Sequence, residues 1–201
     1  MQLNQKKSEE KQETVEHRDA FRVNDNILLS MKPIPVYEVD KTLAEFPEKY
    51  EQIKLMNQFT DASNAVIDQF ALVRRRHPEV AKYLELLDNK INALSKREFS
   101  TLSSVSNLQL KEVNISAGGL RFLHTEQISK GSFLELTIKL STSSHCLLIY
   151  GEVLRCESIN NSDNPFEVAC KFIQIDHDDR EIIHSHIRHL EMKLIRKKSV
   201  K

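Results

Sequence analysis

The sequence predicts a mainly β fold with an inserted block of helices, an α+β architecture, and three observations lead to it. Apolar residues recur at helical spacing between residues 40 and 98. After residue 100 they recur at every second position, as in strands. Glycine is confined to the C-terminal half of the 201-residue chain, at Gly118, Gly119, Gly131 and Gly151.

The first strand is expected at Phe21–Met31 (FRVNDNILLSM), and the helical block follows it. From Asp40 to Glu98 apolar residues occur at steps of three, four and seven, which is the wide stripe of an amphipathic helix. His77-Pro78 should interrupt this segment, because the residue before a proline is displaced from the helical region. Arg74–Arg76 would then lie at a helix end, where basic side chains complement the helix dipole, rather than form a nucleic-acid patch.

After that break the apolar residues alternate at steps of four and three: Val80, Leu84, Leu87, Ile91 and Leu94. This narrow seam is typical of a helix that packs lengthwise against another helix. Two heptads fit an ordinary helix pair within one chain as well as a bundle between chains. We expect self-association through this segment.

Beyond residue 100 the strands are expected in short runs: 108–115, 120–122, 133–140, 146–156 and 166–175. Turn-rich stretches rather than helices separate these runs, which indicates an antiparallel barrel or sandwich. Gly151 lies inside a run, so a bulge or a close backbone approach is expected there. Asp176 and Asp178 then begin a terminal amphipathic helix, which ends in the basic residues Arg196–Lys198.

The composition excludes several classes of protein. The 29 Lys and Arg residues balance the 29 Asp and Glu residues, which argues against binding duplex nucleic acid through bulk charge. No run approaches the ~18 apolar residues of a transmembrane helix, and residues 1–17 lack the apolar core of a signal peptide. We therefore expect a soluble, cytosolic protein. The cysteines should be reduced and pack as small apolar side chains in strands: Cys146, Cys156 and Cys170.

No catalytic or metal site is predicted. Four histidines cluster towards the C-terminus, at His177, His184, His186 and His189. No carboxylate or cysteine is placed to complete a metal site with them, so exposed or capping roles are expected. No Ser/His/Asp or paired-carboxylate arrangement emerges either, so we expect neither an enzyme nor a cofactor.

Two short motifs flank the helical block. Arg18 and Arg22 lie four residues apart in RDAFR, and Asn114, Ser116 and Gly119 lie in NISAGG, where a strand breaks into a glycine turn. Guanidinium groups pair bidentately with phosphate or with a guanine edge. Asn114 and Ser116 share a strand face, and a glycine removes a Cβ where a ligand approaches the backbone. Each motif is thus half of a device for recognising an anion.

The two motifs resemble the RxxxR and (D/N)xSxxG signatures of the PilZ domain, the bacterial receptor module for cyclic di-GMP. The segments LRF, VLR and EVACKF then follow in the family's usual order. The resemblance implies a six-stranded β-barrel with a C-terminal helix. It also implies that Arg18 and Arg22 bind guanine and phosphate of cyclic di-GMP, while Asn114, Ser116 and Gly119 contact the other guanine face.

The helical block resembles the tetrameric branch of the family, in which heptad helices assemble the subunits. The chain then divides into a polar tail (1–17), the first barrel part with the arginine segment (18–40), the helical insertion (41–98) and the remaining barrel with its C-terminal helix (99–201). The predicted function is a cyclic di-GMP receptor that self-associates and signals to an effector protein. Some members of that branch bind no nucleotide, so a ligand-blind interaction protein of pilus or motility machinery is the alternative.

Overall fold

Among the described residues, six antiparallel strands close into a β-barrel in the computed structural model. The structure describes residues 21–99, 103–159, 163 and 165–199. The strands are β1 (Val23–Ile34), β2 (Gln109–Ser116), β3 (Gly119–His124), β4 (Phe133–Lys139), β5 (Cys146–Ser158) and β6 (Phe166–Ile175). Their order around the barrel is β1-β2-β3-β6-β5-β4. The predicted fold class, a six-stranded antiparallel barrel with a helical insertion and a C-terminal helix, is confirmed.

The helical insertion lies between β1 and β2. It comprises a 3-10 turn (Val36–Glu38) and the helices α1 (Val39–Ala44), α2 (Phe46–Ala65), α3 (Ile67–Arg76), α4 (Pro78–Glu98) and α5 (Ser103–Ser106). The predicted interruption at His77 is confirmed, since its backbone (φ −140°, ψ 71°) is not helical. A second interruption at Val66 (φ −104°, ψ 0°) had no proline or glycine to signal it. Arg74–Arg76 form the last turn of α3, as predicted.

Apolar side chains pack in two places, inside the barrel and against its outer wall. Inside, Leu134, Leu136 and Ile138 of β4 are fully buried, as the alternation of that strand predicts. Outside, Phe46 and Ile53 of α2 form a second cluster against the wall. Strand β4 is therefore buried on both faces, which explains why even Thr137 is inaccessible to solvent.

Helix α2 is also tied to the barrel by polar contacts. The side-chain amide of Asn57 donates to the carbonyl of Cys146, and its oxygen accepts from the Cys146 N–H, both at 2.9 Å. Lys49 donates to the carboxylate of Glu135 on β4 at 3.1 Å. The segment α3–α4, here called the helical arm (Ile67–Glu98), extends beyond this docked helix.

Helix α6 (His177–Ser199) closes one end of the barrel. The Asp178 N–H donates to Asp176 Oδ1 at 2.9 Å, which confirms the predicted start signal. Ile183 and Ile187 pack into the barrel core.

His186 corrects the prediction that the C-terminal histidines are exposed or capping. Its side chain is buried where α6 meets the barrel: Nε2 lies 2.9 Å from Asp25 Oδ2, and Nδ1 lies 2.8 Å from the Thr142 hydroxyl. Burial lowers the pKa of His186, and the neighbouring Asp25 carboxylate opposes that shift. His186 thus joins α6 to β1 and to the β4–β5 loop. Helical spacing alone did not reveal this contact, because it shows no partner on the barrel.

The cysteines are unpaired and lie in β5 and β6, as predicted. At Gly151 a Cβ would lie 3.2 Å from the Lys171 carbonyl, and the β5–β6 register shifts between Tyr150 and Gly151, so both expectations for that glycine are met. Within the described ranges, no helix combines the length and hydrophobicity needed to cross a membrane. Nowhere in those ranges do three or more His, Cys, Asp or Glu side chains gather as a metal site requires.

Candidate functional site

The NISAGG segment forms the tight connection from β2 to β3. Ser116 pairs with Gly119 in the ladder, and Ala117 and Gly118 form the turn between them. The Ser116 hydroxyl donates to the Gly119 carbonyl at 3.3 Å and is almost fully buried. In this structure the predicted ligand contact Ser116 therefore closes the turn.

Gly119 is required by the barrel itself. A Cβ at this position would lie 2.5 Å from the carbonyl oxygen of Cys170 on the neighbouring strand β6. That is closer than non-bonded atoms approach, so the two strands would have to shift apart to accept a side chain at 119. The sequence analysis expected a glycine here because a ligand approaches the backbone. The close approach of β6 is a second reason. Gly118 is the open position, because nothing lies within 4 Å of a Cβ built there.

Strand pairing places Arg22 next to this turn, although the helical insertion separates the two in the sequence. Arg22 is exposed and directly precedes β1, whose first residue, Val23, pairs with Ile115. Burial raises the pKa of the Cys170 thiol to about 12, and the positive charge of Arg22 is among the influences that oppose the shift. The positively charged guanidinium of Arg22 therefore lies near the contact between β3 and β6 at Gly119. Arg18 lies outside the described residues.

Asn114 takes part in a row of cross-strand pairs. It pairs with Asn24 on one side and with Arg121 on the other, and Arg121 pairs in turn with Ala169. Directly paired residues project from the same face of a sheet, so these polar side chains are neighbours on the outer wall. The Asn114 amide donates to Asn24 Oδ1 at 2.7 Å, which orients its own oxygen away from that bond.

Asn24 and Arg121 are site residues that the sequence reasoning missed. Arg121 stands two positions after Gly119, on the same strand face, and Asn24 stands two positions after Arg22. This period of two was the available signal. This signal identifies the two residues only once the strand register is known, because the register places Asn24 and Arg121 beside Asn114.

An ion-pair network borders this row. Arg121 lies 3.2 Å from Glu167 Oε2, and Arg155 lies 3.6 Å from Glu167 Oε1. Asn24, Asn114, Arg121 and Glu167 line one hollow of about 220 Å³. Lys171 is exposed and pairs with Gly119 in the ladder, so it adds a further positive charge beside the turn.

The turn is also held by the C-terminal helix and by β6. Arg180 of α6 donates to the Ala117 carbonyl at 2.8 Å, and the Phe172 N–H donates to the Gly118 carbonyl at 2.9 Å. These bonds fix the backbone of the turn without using the side chains of the outer wall. The site therefore combines a rigid turn with exposed guanidinium and amide groups, an arrangement suited to an anion that also carries hydrogen-bonding edges.

Comparisons with known proteins agree with the motifs. The family model of the PilZ domain matches residues 95–189, which contain β2 to β6 and half of α6. The resemblance inferred from the motifs is therefore confirmed over residues 95–189. The first arginine motif precedes the matched residues. No curated protein matches the chain.

Two solved structures are similar to this chain. One, described as a pathogenic protein from Xanthomonas campestris with a new tetrameric PilZ domain self-assembled through a helical bundle, is 14% identical, with a TM-score of 0.48 and coverage of 89% of this chain and 91% of that chain. The other is the inhibitor of motility (MotI/DgrA) of Bacillus subtilis, 11% identical, with a TM-score of 0.46 and coverage of 89% of this chain and 53% of that chain. This chain spans about half the length of the second protein.

Proposed function

We propose that this protein is a non-enzymatic receptor for cyclic di-GMP, which binds at the NISAGG turn and against the outer wall beside it. The observation that carries the proposal is the β1–β2 register. Because Val23 pairs with Ile115, Arg22 lies next to Ser116 and Gly119, although the whole helical insertion separates them in sequence. The proximity of Arg22 to the NISAGG turn supports the proposal.

The chemistry of the assembled groups suits this ligand. Cyclic di-GMP carries two phosphodiester anions and two guanine edges, and a guanidinium fork pairs with either group. Asn114 offers both an amide donor and an acceptor to a base. We assign phosphate or guanine contacts to Arg22 and to Arg18, and base contacts to Asn114, Ser116 and Gly119.

Binding would join Arg22 to the turn through a common ligand. A ligand held by both has contacts that the free protein cannot make, so it favours the conformation in which Arg22 lies against the barrel. The surface presented to an effector protein would change with it. The receptor thereby converts a change in nucleotide concentration into a change of partner surface.

Titration calorimetry of the full chain with cyclic di-GMP tests the receptor role. A bidentate arginine contact contributes about 1–3 kcal/mol, so Arg22→Ala should weaken binding about ten- to a hundredfold. Arg75→Ala, which removes an exposed arginine in the last turn of α3, is the matched control and should bind as the wild type does. A wild-type protein that shows no binding heat, or an Arg22→Ala variant with unchanged affinity, would refute the proposal.

We also propose that the helical arm joins copies of this chain. The heptad residues of α4 are all exposed in the single chain: Val80, Leu84, Leu87, Ile91 and Leu94. Helix α3 packs instead on another face, where Ala81 is buried and Glu85 pairs with Arg74. The seam is thus not used by the intramolecular pair, and its repeat of alternating fours and threes suits a second helix with the same spacing.

Sedimentation velocity tests the assembly. Leu84→Asp with Leu87→Asp places charges in the seam and should dissociate the oligomer. Lys82→Asp, on the opposite side of α4, is the matched control and should leave the mass unchanged. A wild-type protein that sediments as a monomer at micromolar concentration would contradict the assembly, while leaving the nucleotide site to be judged by calorimetry.

The ligand-blind interaction protein remains the second candidate, and Glu167 is the observation that favours it. Its carboxylate lines the same hollow as Asn114 and already pairs with Arg121, so an anionic ligand meets a negative charge there. This candidate predicts a flat calorimetric titration for the wild type, whereas the receptor predicts saturable binding.

A further inference from the structure

The outer wall beside the turn carries charge in successive rows. One row runs through Ser116, Gly119 and Lys171. The next runs through Asn24, Asn114, Arg121, Ala169 and Arg155. The third pairs Glu167 with Leu123 and with Glu157. A row that combines arginines with amides thus lies between the turn and an acidic row.

Glu167 connects the last two rows. Its carboxylate lies within ion-pair distance of Arg121, at 3.2 Å, and of Arg155, at 3.6 Å. The Glu167 side chain is 23% exposed and that of Arg121 is 39% exposed, so both remain reachable from the hollow. The Glu167 carboxylate is therefore paired with the guanidinium of Arg121, which lies directly beside Asn114.

We propose that Glu167 competes with the nucleotide for Arg121. In the free protein the Glu167 carboxylate pairs with Arg121, and on binding it releases Arg121 to a phosphate of the ligand. This inference rests on the proposed receptor function. A guanidinium presents the same fork to a carboxylate and to a phosphate, so Arg121 cannot serve both fully at once. Ligand binding therefore exchanges one ion pair for another, and the affinity reflects the difference between them.

The exchange makes Arg121 and Glu167 affinity-setting residues beyond the two sequence motifs. Breaking the resident ion pair opposes binding, and a partly exposed pair of this kind contributes only modestly. Glu167→Gln keeps the shape of the side chain and removes its charge. It should therefore tighten the binding of cyclic di-GMP about two- to fivefold, whereas Arg121→Ala should weaken it.

A double-mutant cycle separates competition from general electrostatics. If Glu167 acts through Arg121, Glu167→Gln has no effect in an Arg121→Ala background. Glu112→Gln is the matched control, because Glu112 lines the same hollow but has no ion pair with Arg121 among the described contacts. The competition predicts a smaller effect for Glu112→Gln, whereas a general charge effect predicts equal gains from both variants.

The deciding experiment is calorimetric titration of the full chain and these variants with cyclic di-GMP, with unfolding followed by circular dichroism. Tighter binding by Glu167→Gln that disappears without Arg121 supports the inference. If the wild type binds and Arg22→Ala weakens binding, but Glu167→Gln changes nothing, the inference fails and the receptor function stands. If only Glu167→Gln binds, the competition is supported and the wild-type receptor role is refuted; if neither binds, both are refuted.

A conservative variant protects the test against misfolding. Should Glu167→Gln unfold at a lower temperature than the wild type, Glu167→Asp withdraws the carboxylate from Arg121 by one methylene. It should tighten binding in the same direction and by a smaller factor. Unchanged or weaker binding by a folded Glu167→Asp would then overturn the inference.

Discussion

The barrel and the helical arm use their apolar residues in opposite ways. In the barrel, Leu134 and Leu136 are fully buried, and the wall outside them is covered by α2. In the arm, no residue of α3 is buried, and Leu84 and Leu87 of α4 remain exposed. The barrel therefore buries its apolar surface within one chain, whereas the arm leaves an apolar seam exposed. The proposed contact with the nucleotide and the proposed contact between copies would thus lie in different parts of the fold.

Large-to-small substitutions in the two regions sharpen this contrast most. Leu136→Ala creates a cavity in the barrel core and should lower the free energy of unfolding by about 2–5 kcal/mol. Leu86→Ala, on a half-exposed side of α4 away from the heptad seam, should cost less than about 0.5 kcal/mol. Urea denaturation measures both. Equal losses would mean that the arm is as tightly packed as the barrel.

The difference between the regions also explains what could be predicted from the sequence. The strands of the barrel follow from local alternation, and the break at His77 follows from Pro78. The break at Val66 has no such local signal, because neither proline nor glycine stands there. Arg121 and Glu167 could not be assigned to the site, since these residues are 46 positions apart and meet only through the β3–β6 register. Local sequence patterns thus predict the strands and helices, whereas the candidate site forms only when the strands pair.

The two glycines of the turn provide the next test. Gly119→Ala places a methyl group 2.5 Å from the Cys170 carbonyl and should destabilise the barrel by about 1–3 kcal/mol. Gly118→Ala is the matched control, because its Cβ meets nothing within 4 Å. Thermal unfolding of the two variants checks the prediction. A Gly119→Ala protein as stable as Gly118→Ala would contradict the close strand approach.

The junction between insertion and barrel should respond more moderately. Asn57→Ala removes both bonds to Cys146 and leaves a buried N–H and C=O unpaired, which should cost about 1–2 kcal/mol. The neighbouring exposed Gln58→Ala should be close to neutral. Hydrogen exchange at the Cys146 amide, measured in both variants, reports whether α2 has loosened from β5. Unchanged protection in Asn57→Ala would show that apolar packing alone holds the helix.

A pH dependence is expected at the same junction. Burial raises the pKa of Asp179 to about 7, and the nearby Asp176 carboxylate adds to the shift. The folded protein therefore holds a proton that the unfolded chain releases at lower pH. Stability from this group is complete below the unfolded carboxyl pKa, and it is lost as the pH rises towards 7.

Asp179→Asn tests this dependence, because the amide keeps the shape of the carboxyl but does not titrate. Between pH 5 and pH 8 the wild type should lose about 2–3 kcal/mol more stability than the variant, since only the wild type must bury a charge at the higher pH. Asp178→Asn, at an exposed position one residue earlier, is the control and should follow the wild type. Parallel stability profiles for wild type and Asp179→Asn would mean that Asp179 is already ionised in the folded protein at pH 5. The junction of α2, β5 and α6 would then tolerate a buried charge, and α2 would be anchored to the barrel with equal strength at pH 5 and pH 8.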